Sequence, residues 1–149
     1  MSQVHLDTSQ VKELRERCKK DFYLFARGVL GFDWLTPSVH LPLCQMASDP
    51  SIKRGRVVFP RGWLKSTVMS IAKPIWHAIN DPNVRVLIAQ NTHTNAKKKL
   101  ESIDGIFRHN QLFRSLFPEL LPQKDNVWNS DSKSVNRTAS HAEGTFEAA

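Results

Sequence analysis

Apolar side chains recur at steps of three and four from Val11 through Leu14, Cys18, Phe22 and Phe25 to Val29. That spacing predicts one amphipathic helix over the stretch. Its other face carries Lys12, Glu13, Arg15, Glu16, Arg17, Lys19 and Lys20, whose mixed signs suit a solvated surface. Residues 1–9 ahead of it are polar and are expected to be a flexible N-terminus, leaving 10–149 as the folded domain. Pro37 opens a second short helix from His40 to Ala47, which Ser48-Asp49-Pro50 stops. After the basic turn Lys53-Arg54-Gly55-Arg56, the β-branched and aromatic run Val57-Val58-Phe59 predicts a buried strand.

Val68, Ile71, Ala72, Ile75 and Ile79 mark the next helix face, and Pro74 inside it should bend or divide the helix. Asn80-Asp81-Pro82-Asn83 is a turn, and Val84 to Ala89 a second buried strand. Ala96, Leu100, Ile103 and Phe107 form a third helix face. Leu112 to Leu121 is a short apolar helix closed by Pro122. The tail from Gln123 is polar and turn-rich, with weak strand signals at 134–138 and 144–148. Strand, loop, helix, strand, helix is the order of an α/β domain with a mostly parallel sheet flanked by helices.

Composition adds limits. The chain of 149 residues is the size of one domain, and 40% hydrophobic residues suffice for a core. A net charge of +7 favours polyanionic partners, nucleic acid or nucleotides among them. Cys18 and Cys44 form no CxxC pair and fall on helix faces, as buried free thiols in a reducing, intracellular setting would. No stretch has the length of a signal-peptide core or a membrane span. The six histidines have no metal-ligand spacing. Trp34, Trp76 and Trp128 are expected in the core, and Trp63 to pack locally or stay partly exposed. Lys97-Lys98-Lys99 is a solvated helix face before it is a DNA contact.

The chemistry concentrates in Pro60-Arg61-Gly62-Trp63-Leu64-Lys65-Ser66-Thr67, directly after the Val57–Phe59 run. A phosphate loop needs inward-pointing backbone N–H groups, a helix start whose dipole favours an anion, and a Lys and hydroxyl close behind. Lys65 and Ser66 stand in that order, Ser66 as the Mg²⁺ ligand and Thr67 beside it. Arg61, four residues earlier, is a second cation within reach of a phosphate. The standard pattern G-x-x-x-x-G-K-[ST] is broken: Phe59 and Leu64 hold the glycine positions, and only Gly62 lies between. The competing interpretation is a plain strand-to-helix turn with a lysine at a helix start, where a cation is mildly unfavourable.

Arg61-Gly62-x-x-Lys65-Ser66 after a hydrophobic run resembles the deviant Walker A motif of the large terminase subunit of tailed bacteriophages. The resemblance runs from about Phe22 to the end. His40 to Met46, Ile75-Trp76 with the Asn-Asp-Pro turn, Val84 to Ala89 with Asn91 to Ala96, Phe117 to Leu120, Trp128 and Glu143 to Ala148 follow in the family's order. It implies a P-loop NTPase-like fold and ATP hydrolysis coupled to the movement of double-stranded DNA into a procapsid. Work as a homo-oligomer with a small terminase subunit and a portal ring, in the host cytoplasm, is implied too. By the same resemblance Lys65 holds the β and γ phosphates of ATP, Ser66 binds Mg²⁺, and Arg61 contacts the γ phosphate and stabilises charge during transfer. In His40 to Gln45, Gln45 is the side chain expected to contact adenine.

The family also needs a hydrophobic strand ending in two acids, and these 149 residues contain no adjacent acidic pair. Asp81, Asp104, Asp125 and Asp131 do not end apolar strands. The expectation is therefore a fragment with an incomplete sheet, lacking the Walker B strand and the nuclease domain. Two alternatives stand beside it: a basic nucleic-acid-binding module drawing on Lys53 to Arg56 and Lys97 to Lys99, and a truncated reading frame without function.

Overall fold

The computed structural model describes residues 7–149. Helix α1, Thr8–Lys20, starts at Asp7, whose carboxylate accepts from Gln10 N at 2.9 Å while Gln10 Oε1 accepts from Asp7 N at 3.0 Å. This reciprocal cap satisfies two donors that a helix start leaves open. Helix therefore begins inside the stretch expected to be flexible; residues 1–6 lie outside the described residues. The single helix expected from Val11 to Val29 is broken at Asp21, which takes extended backbone (φ −113°, ψ 97°). Its side chain accepts from Leu24 N at 2.9 Å and restarts the chain as α2, Phe22–Leu24, running into a π turn, Phe25–Val29. An aspartate that bonds its own downstream backbone favours a cap over a helix interior. Periodicity could not report this, because Cys18, Phe22, Phe25 and Val29 are buried on both sides of the break.

Helix α3 spans Pro37–Ser48. The segment 57–59, expected as a buried strand, has no regular secondary structure and is unpaired, with Val58 75% exposed between half-buried Val57 and Phe59. Its alternation is that of a strand, yet no neighbour among the described residues takes up its backbone groups. The chain then forms one helical run: α4, Lys65–Thr67, a π turn, Val68–Ala72, and α5, Lys73–Asn80. Pro74 explains the π turn. It has no N–H, and its ring would crowd the carbonyl of Ser70 in a regular helix. The wider turn, in which Lys73 N donates to Val68 O, makes room for it.

Strand β1 is Val86–Ile88, followed by α6, His93–His109, and α7, Gln111–Leu116. A single 3₁₀ turn, Pro118–Leu120, replaces the rest of the helix expected to reach Leu121. Of the two weak signals in the tail, 144–148 contains β3, Phe146–Ala148, whereas 134–138 forms no strand and β2, Ser132–Lys133, lies just ahead of it. The sheet order is β1-β3-β2. β1 and β3 run parallel with Val86 opposite Phe146, and β2 and β3 antiparallel with Lys133 opposite Phe146. The molecule is thus α/β, but its sheet is small and mixed, not mostly parallel. Ile88 and Phe146 enter the core; Leu87, opposite Glu147, stands 64% exposed on the other face. Gly144 admits β2 to this sheet: a Cβ there would lie 2.2 Å from Ser132 Oγ.

The core joins α6, α7, β3 and the π turn after α2 through aromatic side chains. Phe107 meets Phe113 at 5.0 Å, Trp128 at 5.1 Å and Phe146 at 6.1 Å, and Phe25 meets Phe117 at 6.2 Å. The buried Trp76 indole donates to Cys18 O at 2.9 Å and ties α5 to α1. Both oxygens of Asp104 accept from Arg108 Nε at 2.8 Å, and one also accepts from Trp128 Nε1. Partial burial pushes the Asp104 carboxyl up, but these bonds and the nearby Lys133 outweigh it and hold its pKa below the usual 3.8. A depressed folded-state pKa adds stability that is complete above 3.8 and is lost as pH falls through the lowered value. Asp104→Asn should therefore reduce stability at neutral pH and flatten its fall in acid. Urea unfolding at several pH values would measure both; parallel curves for variant and parent would contradict the role.

Candidate functional site

The candidate loop comprises a turn, 60–64, that follows the unpaired 57–59 segment, and the first helical residues Lys65–Thr67. Trp63 N donates to Pro60 O at 3.4 Å, closing a turn in which Gly62 takes φ 82°. Leu64 follows at φ 54°, ψ 16°, the one non-glycine residue with positive φ among the described residues. For a leucine this left-handed backbone costs about 1–2 kcal/mol. Leu64 occupies the position where the standard phosphate loop has its second glycine, and it adopts the conformation that favours glycine. Two left-handed residues within three fold the backbone back just before the helix starts.

Leu64 is also the helix N-cap, and it offers no side-chain bond to the first turn. The N–H groups of Lys65, Ser66 and Thr67 therefore lack intrahelical partners at the positive end of the run. Lys65, Ser66 and Thr67 are half-buried, and Pro60, Arg61 and Gly62 are exposed. His40 braces the loop from α3. Its Nδ1 accepts from Thr36 N at 2.9 Å, so the ring proton sits on Nε2, which donates to Trp63 O at 3.2 Å. His40 is 5% exposed, and its role was not visible in a sequence where it has no ligand spacing.

A cleft of about 620 Å³ opens beside the loop, lined by Trp34, Thr36, Val39, His40, Gly62, Trp63 and Leu64. Trp34, expected in the core, is 58% exposed here; Trp63 is 47% exposed and meets Phe59 edge-on at 6.2 Å. Trp76 is buried and Trp128 half-buried. Gln45 is exposed on α3 and does not line the cleft.

No acid lines the cleft either. Asp81 accepts from Asn83 N at 2.9 Å, and Asp131 meets His93 at 3.0 Å and Lys97 at 2.9 Å. Lys97 is thus tied to the segment before β2, while Lys98 is exposed. Among the described residues no three His, Cys, Asp or Glu converge on a metal position. Cys18 and Cys44 are buried and unpaired, and burial pushes their thiols up to about 11 and about 12. They are packing groups, not nucleophiles. Among those residues no helix is long and apolar enough to cross a membrane.

The strain at Leu64 gives a testable asymmetry. Leu64→Gly should change stability by less than about 1 kcal/mol, because relief of the left-handed backbone offsets lost burial. Leu64→Val should cost about 2 kcal/mol, since a β-branched residue resists positive φ. Chemical denaturation of both variants compares them; equal losses would mean that the loop relaxes to another backbone.

No protein-family model, curated protein or solved structure matches the chain.

Proposed function

We propose that the chain binds a Mg-nucleoside triphosphate at residues 60–67, as the nucleotide-binding part of a DNA-packaging ATPase of the terminase large-subunit kind. The observation that carries it is Leu64 in the left-handed region immediately before Lys65 at an uncapped helix start. A plain strand-to-helix turn gives no reason to hold a leucine in that backbone or to place a lysine at the positive end of a helix. A phosphate group supplies both reasons, since it accepts from the first-turn N–H groups and neutralises the lysine.

In this reading Lys65 and Arg61 balance the outer phosphates, and the Ser66 hydroxyl would hold Mg²⁺ beside them. Mg²⁺ shields the phosphate charge. The donor set fits, because Mg²⁺ is commonly held by few protein oxygens beside a nucleotide. The nucleobase lies in the aromatic cleft against Trp34 or Trp63. With no carboxylate in the cleft, the activity proposed for these residues is binding. Partnership with double-stranded DNA, a small subunit, a portal ring and further copies belongs to the same proposal.

Calorimetric titration with MgATP and a non-hydrolysable analogue tests it. Saturable binding accompanied by a change in tryptophan fluorescence is expected. A chain that binds duplex DNA with a steep salt dependence, and no nucleotide at millimolar concentration, would instead be the basic nucleic-acid module.

A further inference from the structure

We propose a second anion site, separate from the loop, where the end of α6, α7 and the turn 123–126 enclose a cleft of about 530 Å³ that takes a phosphate-bearing ligand. Arg108, Arg114 and Lys124 line it, and it shares no residue with the cleft beside the loop.

The three cations come from separate supports, and each support is braced. Asn110, between the two helices, accepts from Phe113 N at 2.8 Å and donates to Val29 O at 2.8 Å. That fixes α7 against α6 and against the π turn after α2. Arg114 Nη1 donates to Phe107 O at 2.7 Å, which holds the guanidinium at the end of α6 and leaves its other N–H groups free for a ligand. Arg108 is oriented by Asp104 through Nε alone, so its terminal nitrogens remain donors. The turn bearing Lys124 is closed by Asn126 N to Gln123 O at 3.0 Å and by Gln123 N to Asn126 Oδ1 at 2.9 Å. Asn126 Nδ2 then anchors it to Val135 O at 3.1 Å.

Charge favours an anion there. Among the described residues neither Arg114 nor Lys124 has a carboxylate within 4.0 Å; Asp104 answers Arg108 and lies 3.9 Å from the buried Lys133. Cations gathered in one cleft repel each other until an anion enters. A phosphate, with three acceptor oxygens and up to two charges, meets two guanidinium groups and an ammonium at once, which a single carboxylate does not. Leu121 and Trp128 supply an apolar wall for the body of the ligand. A free phosphorylated small molecule and a nucleic-acid phosphodiester share this chemistry.

The test uses the full chain carrying Lys65→Ala, so that the loop does not contribute. Pyrophosphate is titrated at fixed ionic strength and followed by backbone amide NMR. Saturable shifts at residues 107–114 and 121–126 are expected, with affinity reduced at least about tenfold in Arg114→Gln/Lys124→Gln. Both side chains are exposed, and the one bond lost to the fold is Arg114 Nη1 to Phe107 O, so the thermal midpoint should fall only slightly. If the Arg114 change unfolds the chain, Lys124→Gln alone carries the test. A short DNA duplex that displaces pyrophosphate identifies the phosphodiester source; one that does not identifies a small ligand. Non-saturable shifts, or saturation indifferent to these variants, would overturn the site.

Discussion

Lys65→Ala should reduce MgATP affinity by about 30- to 1,000-fold while leaving the fold as stable as before or slightly more so. The binding loss follows from removing a charge-assisted bond from two phosphates, about 2–4 kcal/mol in total. The stability change has the opposite sign. Lys65 is the first helical residue of its run, and a cation there opposes the helix dipole by about 0.3–1 kcal/mol. A residue kept for packing would lose stability on truncation, so the opposed signs separate a ligand-binding lysine from a structural one. Calorimetry and thermal unfolding of the same samples read both quantities. Equal nucleotide affinity in parent and variant would refute the loop assignment.

Phe107→Ala should have the largest effect on stability, about 3–5 kcal/mol, as for other large-to-small changes in well-packed cores. Phe107 is 1% exposed and touches Phe113, Trp128 and Phe146, so its ring joins α6, α7, the segment before β2, and β3. Against a total of about 5–15 kcal/mol for a domain, that loss would unfold a measurable fraction at 37 °C. Trp34→Ala is the contrast. Its exposed ring should cost less than about 0.5 kcal/mol of stability and yet weaken nucleotide binding. A urea transition for Phe107→Ala within 1 kcal/mol of the parent would show that the cluster is not the centre of the core.

Much of the helical architecture was legible. The faces beginning at Val68 and Ala96 reappear as the α4–α5 run and α6, because a buried stripe at helical spacing is a local property of the chain. Pro74 announced a divided helix for an equally local reason. The candidate loop was legible as Arg61, Lys65 and Ser66. Its main defect in sequence terms, leucine where glycine is standard, became its most informative feature once Leu64 was seen at φ 54°. Leucine reaches that backbone only under the pull of its surroundings, so no spacing rule could report it.

The strands were the least legible part. Val57-Val58-Phe59 has the letters of a strand and stays unpaired, whereas Ser132-Lys133, outside the weak signal at 134–138, enters the sheet where Gly144 lets it approach. Pairing depends on which distant segment supplies the partner, which is a non-local matter. The same holds for His40, whose ring bridges Thr36 and Trp63, and for Trp34, turned outward beside the loop. The sequence by itself determined the main helix faces, the basic charge and the order of loop residues, since each rests on neighbours along the chain. Only the tertiary structure decided the sheet order, the left-handed turn at Leu64 and the aromatic cleft, because each depends on groups brought together from far apart.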